Sequence, residues 1–446
     1  MSDYMFMLEN HLSANQNRAV SEVQAAAAQA NVNLFLTGGA VRDMLGGFPI
    51  RDLNFAVEGN ALKLAKTIEA QAGVKVTGID EYRKSVRLLF DGAVSAEIAM
   101  ARQERYPKNG ARPVVTPATL QEDLRSRDFT INAIALSLNQ ASLGLLLDPN
   151  NGLADLENKE LRAVYGRALY DDPGRLLRLI RFRVRFGFAI EPRTQQQYEN
   201  ARLEEMEKRI TGRRLFEEFI EIAGEANPGE VLHALEQEEL LSLFSPALTG
   251  PKLNMAGFSR LMKARQLIPF GVDLPINGLA LFLHLLTEKL TPKEKASLAT
   301  TTEMSKADSD LAPKLAARAK QLEKEAKSAK LKKPSQVYGV LSKAAGEELM
   351  FLFLTSELRL VQDRIRNYIQ KYLPAAQEIT DGQVAALGLE PGTPKFKKRK
   401  EEMVLARVDV RVKKTPPVPE TAPVPPPEPA RPPGRFPGRA SHMHSR

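Results

Sequence analysis

The sequence predicts an α+β protein: a mixed sheet with flanking helices over the N-terminal third, then an all-helical remainder. Up to about residue 145, short apolar runs alternate with helical stretches and glycine turns, whereas after Asp148 strand signals nearly vanish. A third observation bounds the fold at its far end. From Thr415 onward, eleven of 32 residues are proline and few are apolar. Such a segment buries too little surface to offset its ordering entropy, so a disordered tail is expected there.

Residues 16–30 are rich in Ala, Val and Gln and make the first expected helix. Leu34, Phe35 and Leu36 form a short buried strand that runs into Thr37-Gly38-Gly39, and residues 40–45 have the composition of a helix. A second strand carries Asp52 and Asn54, two apart and therefore on one face. Leu62, Leu64, Ala65 and Ile68 have helical spacing within residues 60–71. Residues 86–90 read as a strand, Asp91-Gly92 as a hairpin turn, and residues 94–101 as the returning partner. Beyond the sheet, residues 175–186, 214–223, 230–244 and 279–290 read as helices joined by Pro- or Gly-bearing turns. Residues 304–333 are Ala- and Lys-rich, a solvated helix or helix pair, and residues 349–372 a last helix ending near Pro374.

A chain of 446 residues is long enough for about three domains. Its 63 Lys and Arg outnumber 54 Asp and Glu, a net charge of +9 that favours a polyanionic partner without naming one. Cysteine is absent and only five histidines occur, which excludes disulfides, a zinc knuckle and thiol chemistry. No stretch approaches the ~18 to 20 apolar residues of a membrane span. The N-terminus lacks the basic region and apolar core of a secretion signal, so a cytoplasmic location is expected.

Chemistry concentrates in residues 34–58. Gly38 and Gly39 sit where a strand becomes a helix N-terminus, where unpaired N–H groups point outward and the absence of side chains lets a phosphate approach closely. The face carrying Asp52 and Asn54 follows at once. A phosphate cradle followed by an acidic, metal-binding face is what nucleotidyl transfer needs. Two carboxylates side by side suit Mg²⁺, which prefers hard oxygen ligands. Asp52 supplies one, while Asn54 offers only a neutral carbonyl oxygen.

The segment GG-x-VRD followed by RD-x-N resembles the signature of the tRNA nucleotidyltransferase and bacterial poly(A) polymerase family, built on the DNA polymerase beta-like nucleotidyltransferase fold. The family pattern has aspartate where this chain has Asn54. The resemblance implies Mg²⁺ held at Asp52 and Asn54, and nucleotide contacts at Gly38, Gly39 and Arg42. Glu97, preceding Ala101-Arg102, stands where the family has an acidic residue, so it is either a third site carboxylate or an exposed strand glutamate. RSRDFTINA, residues 125–133, resembles the family's RRDFTINA helix start. It implies a phosphate contact from Arg127, with Asp128 and Asn132 as organisers. Asp128 has the chemistry of a helix cap, which is compatible with that role. YDDPGRLLRLIRF, residues 170–182, resembles the family's E-D-P-x-R-x-L-R block. Asp172, Arg175 and Arg178 are spaced by three and form one ridge if Pro173 starts the helix. In the family such a carboxylate–guanidinium pair reads the edges of C and A in place of a nucleic-acid template. Arg181, Arg183 and Arg185 are then further phosphate contacts or a solvated face.

The looser match extends to about residue 412. The turn at Leu387 to Gly392 and the basic run Lys395-Phe396-Lys397-Lys398-Arg399-Lys400 are a tRNA backbone grip or an exposed basic linker. The implied organisation is a nucleotidyltransferase head over residues 1–147, a helical neck for nucleotide recognition and RNA binding over 148–225, and a helical tRNA-binding body and tail over 226–412. A disordered Pro-rich tail over 413–446 completes it. The implied activity is template-independent addition of CMP and AMP, or AMP alone, from CTP and ATP to tRNA 3′ ends with release of pyrophosphate. The alternatives are poly(A) polymerase activity, or an RNA-binding homologue whose catalysis Asn54 has impaired. The implied partners are a tRNA or other RNA 3′ end, ATP and CTP, with no membrane and no obligate protein partner.

Overall fold

The computed structural model describes residues 3–70 and 74–410; the Pro-rich tail expected over 413–446 lies outside them. Two helices, α1 (Asp3–His11) and α2 (Ala14–Gln29), lead into β1 (Asn33–Thr37), α3 (Gly39–Leu45), β2 (Leu53–Glu58) and α4 (Ala61–Glu69). Then follow β3 (Lys75–Asp80), β4 (Ser85–Phe90), β5 (Val94–Met100), the hairpin β6 (Arg102–Arg105) and β7 (Val114–Pro117), α5 (Leu120–Arg125), β8 (Ala135–Ser137) and β9 (Leu146–Leu147). The seven-stranded sheet has the order β3-β4-β5-β2-β1-β8-β9. Only β2 and β5 run parallel, so the sheet is mixed as expected.

Alternation explains why this sheet has one wet and one dry face. Leu34, Leu36, Leu53, Phe55, Val57, Val86, Leu88, Ala96 and Ile98 point to one side and pack on Val20, Val23, Leu64 and Ile68 of α2 and α4. Each fully buried apolar side chain of this kind contributes about 1.5–3 kcal/mol relative to exposure. The intervening residues, among them Asn54, Ser95, Glu97 and Arg87, therefore share the opposite face. Its β1 end is covered, where Phe35, Ala56 and Ala135 pack against Leu120 and Leu124 of α5.

Helices dominate from residue 152: α6 (Gly152–Asn158), α7 (Ala168–Asp171), α8 (Gly174–Phe186), α9 (Pro192–Leu203), α10 (Gly212–Ala223) and α11 (Pro228–Gln237) come first. Pro173 stands at the N-cap of α8, and Gly187 ends it at φ 66°. The apolar side of α8 joins α10 and α11 in a core that continues to Leu373. Phe48, in the loop after α3, meets Phe186 and Phe188 at ring-centroid distances of 5.1 and 6.4 Å, an apolar contact between sheet domain and helices.

Several expected elements differ. Residues 125–135 do not start a helix: α5 ends at Arg125, a single 3₁₀ turn covers Thr130–Asn132, and β8 follows. The stretch 230–244 is interrupted, since α11 ends at Gln237 and Glu239 takes φ 58°. Residues 304–333, by contrast, form the helix pair that is one of the two expected forms, Lys306–Ser309 and Leu311–Ala326. Residues 349–372 break after Thr355, resume at Arg359–Asn367 and pass through a π turn into Leu373–Gln377. Lys395 to Lys400 lie on the helix Pro394–Asp409, which buries Val404 and Val408 against Ala375 and Ala376, so this run is not a linker.

Candidate active site

The turn between β1 and α3 forms first. Gly38 adopts φ 63°, ψ −128°, a conformation closed to side-chain-bearing residues, and it accepts the Arg42 amide as the helix begins. A β-carbon on Gly38 would lie 3.4 Å from Nη1 of Arg127, and one on Gly39 would lie 3.4 Å from Oδ1 of Asn54. The glycine turn, Arg127 and Asn54 thus meet at one spot.

Strand pairing places the carboxylates. Asp52 immediately precedes β2, and the register of β2 with β5 sets Leu53 against Ala96 and Asn54 against Glu97. Asn54 and Glu97 are therefore lateral neighbours on the open face, and the Ser95 hydroxyl lies near enough to Asp52 to favour its charged form. Asp52 is exposed, yet the surrounding protein removes enough water to raise its carboxyl above the usual range, with Glu221 adding to the rise. A cation bound there would reverse that shift. Among the described residues no three His, Cys, Asp or Glu side chains form a ready metal cluster. Asp52, Glu97 and the Asn54 carboxamide nevertheless offer hard oxygen donors side by side. That set suits a divalent ion which keeps waters or takes phosphate oxygens in its other positions. It has one negative charge fewer than an all-carboxylate set.

Arg127 is held half-buried by Asp123 at 2.7 Å, the Asn132 carbonyl at 3.2 Å and the Thr37 hydroxyl at 3.4 Å. Its guanidinium lies over Gly38 as a phosphate contact requires. Arg42 is placed differently. It is buried behind the turn, donating to Asp43 Oδ1 at 2.9 and 2.7 Å and to Asn132 Oδ1 at 2.6 Å, with Phe182 and Phe186 against its guanidinium. It shapes the glycine turn from below.

Asp128 precedes the 3₁₀ turn rather than an α-helix. Its carboxylate accepts from the Phe129 amide at 2.7 Å, Asn132 Nδ2 at 3.1 Å and Arg178 Nη1 at 2.6 Å. Burial opposes its charge, but Arg178 and Arg175 outweigh it and hold the carboxyl far below its usual range. Asp128 and Asn132 thus act as organisers, joining α8 through Arg178 to α3 through Arg42.

Asp172 and Arg175 lie at the start of α8, though not as a simple exposed ridge. The Asp172 carboxylate accepts from the Gly174 amide at 3.1 Å and from Arg214 Nη2 at 2.9 Å, while Arg175 Nε stands 3.8 Å away. Burial opposes ionisation of Asp172, but Arg214 and Arg175 keep its carboxyl below the usual range. Arg175 is buried, turned toward the Tyr165 hydroxyl and the Ala168 and Ser126 carbonyls, and its Nε has no hydrogen-bond partner. Arg214 carries no motif signal near Asp172, being 42 residues away, and the sequence reading missed it. A cavity of about 310 Å³ opens beside this group, lined by Tyr106, Gly110, Asp172 and Arg214.

Arg181, Arg183 and Arg185 are each paired with a carboxylate, and Arg181 and Arg185 are not a solvated face. Arg181 is buried against Glu218 at 2.6 Å and Glu225 at 2.9 Å, Arg183 pairs with Glu238 at 2.9 Å, and Arg185 reaches Asp43 at 3.0 Å. Burial and the nearby Arg42 lower Arg185 to about 10, which leaves it charged at neutral pH.

Residues 34–162 match the model of the Poly A polymerase head domain. The chain is 43% identical over 162 residues to an A-adding tRNA nucleotidyltransferase of Aquifex aeolicus, covering 36% of this chain and 19% of the relative. It is 38% identical over 194 residues to the A-adding tRNA nucleotidyltransferase of Halalkalibacterium halodurans, covering 43% and 45%. The match thus spans less than half the length of either relative. A solved CCA-adding enzyme in an apo form shares the fold with a TM-score of 0.53 at 24% identity, over 92% of this chain and 96% of that one. No helix of the described residues is long and apolar enough to cross a membrane. With its glycine turn, its mixed sheet and its Asp52 face, the segment 34–162 belongs to the Poly A polymerase head domain family, the family its motifs resemble.

Proposed function

We propose that this chain is a template-independent RNA nucleotidyltransferase that adds AMP, or CMP and AMP, from ATP and CTP to the 3′ end of tRNA. The observation that carries the reading is the meeting of Gly38, Gly39, Arg127, Asn54 and, across the strand register, Glu97 on one open face beside Asp52. The names of the A-adding relatives support tRNA as the acceptor. We place the reaction in the cytoplasm and Mg²⁺ at Asp52 and Asn54, with Glu97 as the neighbouring carboxylate.

In this reading the glycine turn and Arg127 hold the triphosphate with its α-phosphorus toward the sheet. Asp52 and Glu97 face the RNA 3′-hydroxyl, which attacks in line as pyrophosphate leaves. When bound, the metal supplies Lewis acidity to the attacking and leaving oxygens. Asp172 and Arg214 border the cavity that takes the base, and Asp172 reads it together with Arg175, which stands behind the carboxylate. Arg178 and Asp128 fix the helix on which those readers stand. Residues 1–147, 148–225 and 226–412 then serve as catalytic head, recognition neck and tRNA-binding body and tail, with Lys395 to Lys400 on the tRNA backbone.

A second reading, an RNA-binding homologue with impaired catalysis, is favoured by one observation: Asn54 removes a charge from the metal face. Poly(A) addition is the alternative within enzymes. Incubating the protein with tRNA lacking its 3′ end, Mg²⁺ and each labelled NTP in turn separates all three. Addition of A, or of C and then A, is expected; long A tracts would mean poly(A) polymerase, and RNA binding without addition would mean the impaired homologue.

A further inference from the structure

The open face of the sheet does not end at Glu97. Opposite Glu97 on β4 stands Arg87, and opposite Arg87 on β3 stands Gly78. Asn54, Glu97, Arg87 and Gly78 thus form one row across four strands, with successive members about 4.8 Å apart. The Arg87 guanidinium lies along that row, since a β-carbon on Gly78 would sit 3.0 Å from its Nε and Nη2. It has no ion-pair or hydrogen-bond partner among the described residues.

At the end of the row opens a cavity of about 510 Å³, lined from the sheet side by Gly78, Tyr82 and Arg87, by Asp80 and Glu81, which pair with Arg83 and Lys84, and from α10 by Arg213 and Glu217. Arg112 closes one wall, its guanidinium stacked 3.4 Å from the centre of the Tyr82 ring. The Tyr82 hydroxyl donates to the Pro113 carbonyl and fixes the pair to the loop before β7. Arg112, like Arg87, has no carboxylate partner among the described residues. Arg112, Arg213 and Glu217 also line the smaller cavity beside Asp172, so the two cavities share a wall.

We infer that this larger cavity binds the terminal nucleotide of the RNA acceptor, with its base on the Tyr82–Arg112 platform and its phosphate at Arg87. The inference rests on the proposed nucleotidyl transfer and adds a subsite to it. Three features suit that ligand: a flat aromatic–guanidinium surface for a base of any identity, the Arg87 cation, unpaired among the described residues, for a phosphodiester, and a straight path of about 10 Å from Glu97. The incoming base and the acceptor base would then occupy adjoining cavities, side by side as the two nucleotides must be when the acceptor 3′-oxygen bonds the incoming α-phosphorus and pyrophosphate leaves.

The test uses the full chain and a tRNA acceptor whose 3′-terminal base is 2-aminopurine. On binding to the unaltered protein, the fluorescence is expected to be quenched by stacking. Tyr82→Ala is expected to abolish the quench and weaken acceptor binding about tenfold, Tyr82→Phe to retain both, and Arg87→Ala to weaken acceptor binding. Binding of ATP alone should be unchanged in all three variants, which also shows that they fold. RNA binding with an unchanged quench in Tyr82→Ala would overturn the subsite while leaving nucleotidyl transfer standing. Tyr82→Phe as weak as Tyr82→Ala would overturn stacking as its basis. No RNA binding by the unaltered protein would overturn nucleotidyl transfer and the subsite together.

Discussion

The open sheet face and the seam between sheet domain and helices both hold charges and treat them in opposite ways. At the seam, Asp43, Asp128, Arg178, Arg181, Arg185, Glu218 and Glu225 are paired within 3.0 Å and mostly buried. On the face, Arg87 has no partner among the described residues, Asp52 has a hydroxyl nearby and a distant set of charges, and Asn54 stands where the family pattern has a charge. Charges bonded to one another inside the protein hold the fold, because stranding one of them there is costly. Charges left open to a cleft are available to a ligand that brings the missing counter-charge. The contrast assigns structure to the first region and chemistry to the second.

It breaks most sharply at Asp52. Asp52→Ala should abolish nucleotide addition while leaving the thermal midpoint within a degree or two, because its exposed carboxylate packs against little. Loss of folding in that variant would move Asp52 to the structural class. The seam should behave in the reverse manner. Arg181→Ala strands the buried Glu218 without its cation, while Glu225 keeps Arg51, and should cost about 3–5 kcal/mol in denaturant unfolding. A loss below 1 kcal/mol would show the seam to be hydrated.

Base reading lies between these extremes. Asp172→Ala should blur discrimination of CTP and ATP from GTP and UTP by about tenfold to a hundredfold, the worth of a hydrogen-bonded pair of ~1 to 3 kcal/mol. Arg214→Ala should shift the same preference by freeing Asp172 from its present partner. Reduced activity with unchanged preference in both would mean an ion pair that only supports α8. Acid tests the seam more gently. The folded-state pKa of Asp128 is depressed, so its stabilisation is present above the unfolded value of about 3.9 and disappears as pH falls through the folded one. The stability gap between the unaltered protein and Asp128→Asn should therefore narrow below about pH 4, measured by urea unfolding at pH 7 and pH 3.5.

What the sequence reveals follows the same division. The path from β1 through the glycine turn to α3, and the strands bearing Asp52 and Glu97, are legible because a half-buried strand alternates and a phosphate turn needs glycine. β3 is not, because KVTGID at the sheet edge has no buried residue to mark it. DFTINAIALS reads as a helix start because an aspartate before a polar turn looks like a cap; only the tertiary pairing of β8 with β1 makes it strand. Likewise Arg181 and Arg185 look like surface cations until α10 supplies Glu218 and the segment after it Glu225. The Arg214 contact with Asp172 belongs to the packing of α10 beside α8 and has no local signature.

Asn54 joins the two regions of the comparison, a neutral residue in the place where the open face should concentrate charge. Its carboxamide oxygen can occupy a coordination position but neutralises developing charge on the leaving oxygens less well. Single-turnover addition at saturating Mg²⁺, compared between the chain as it stands and Asn54→Asp, measures this directly. Slow addition is expected, rising at least about tenfold in Asn54→Asp, a barrier change near 1.4 kcal/mol. Equal rates would show that Glu97 suffices as the second ligand, and no addition by either protein would contradict the assignment of this face to nucleotidyl transfer.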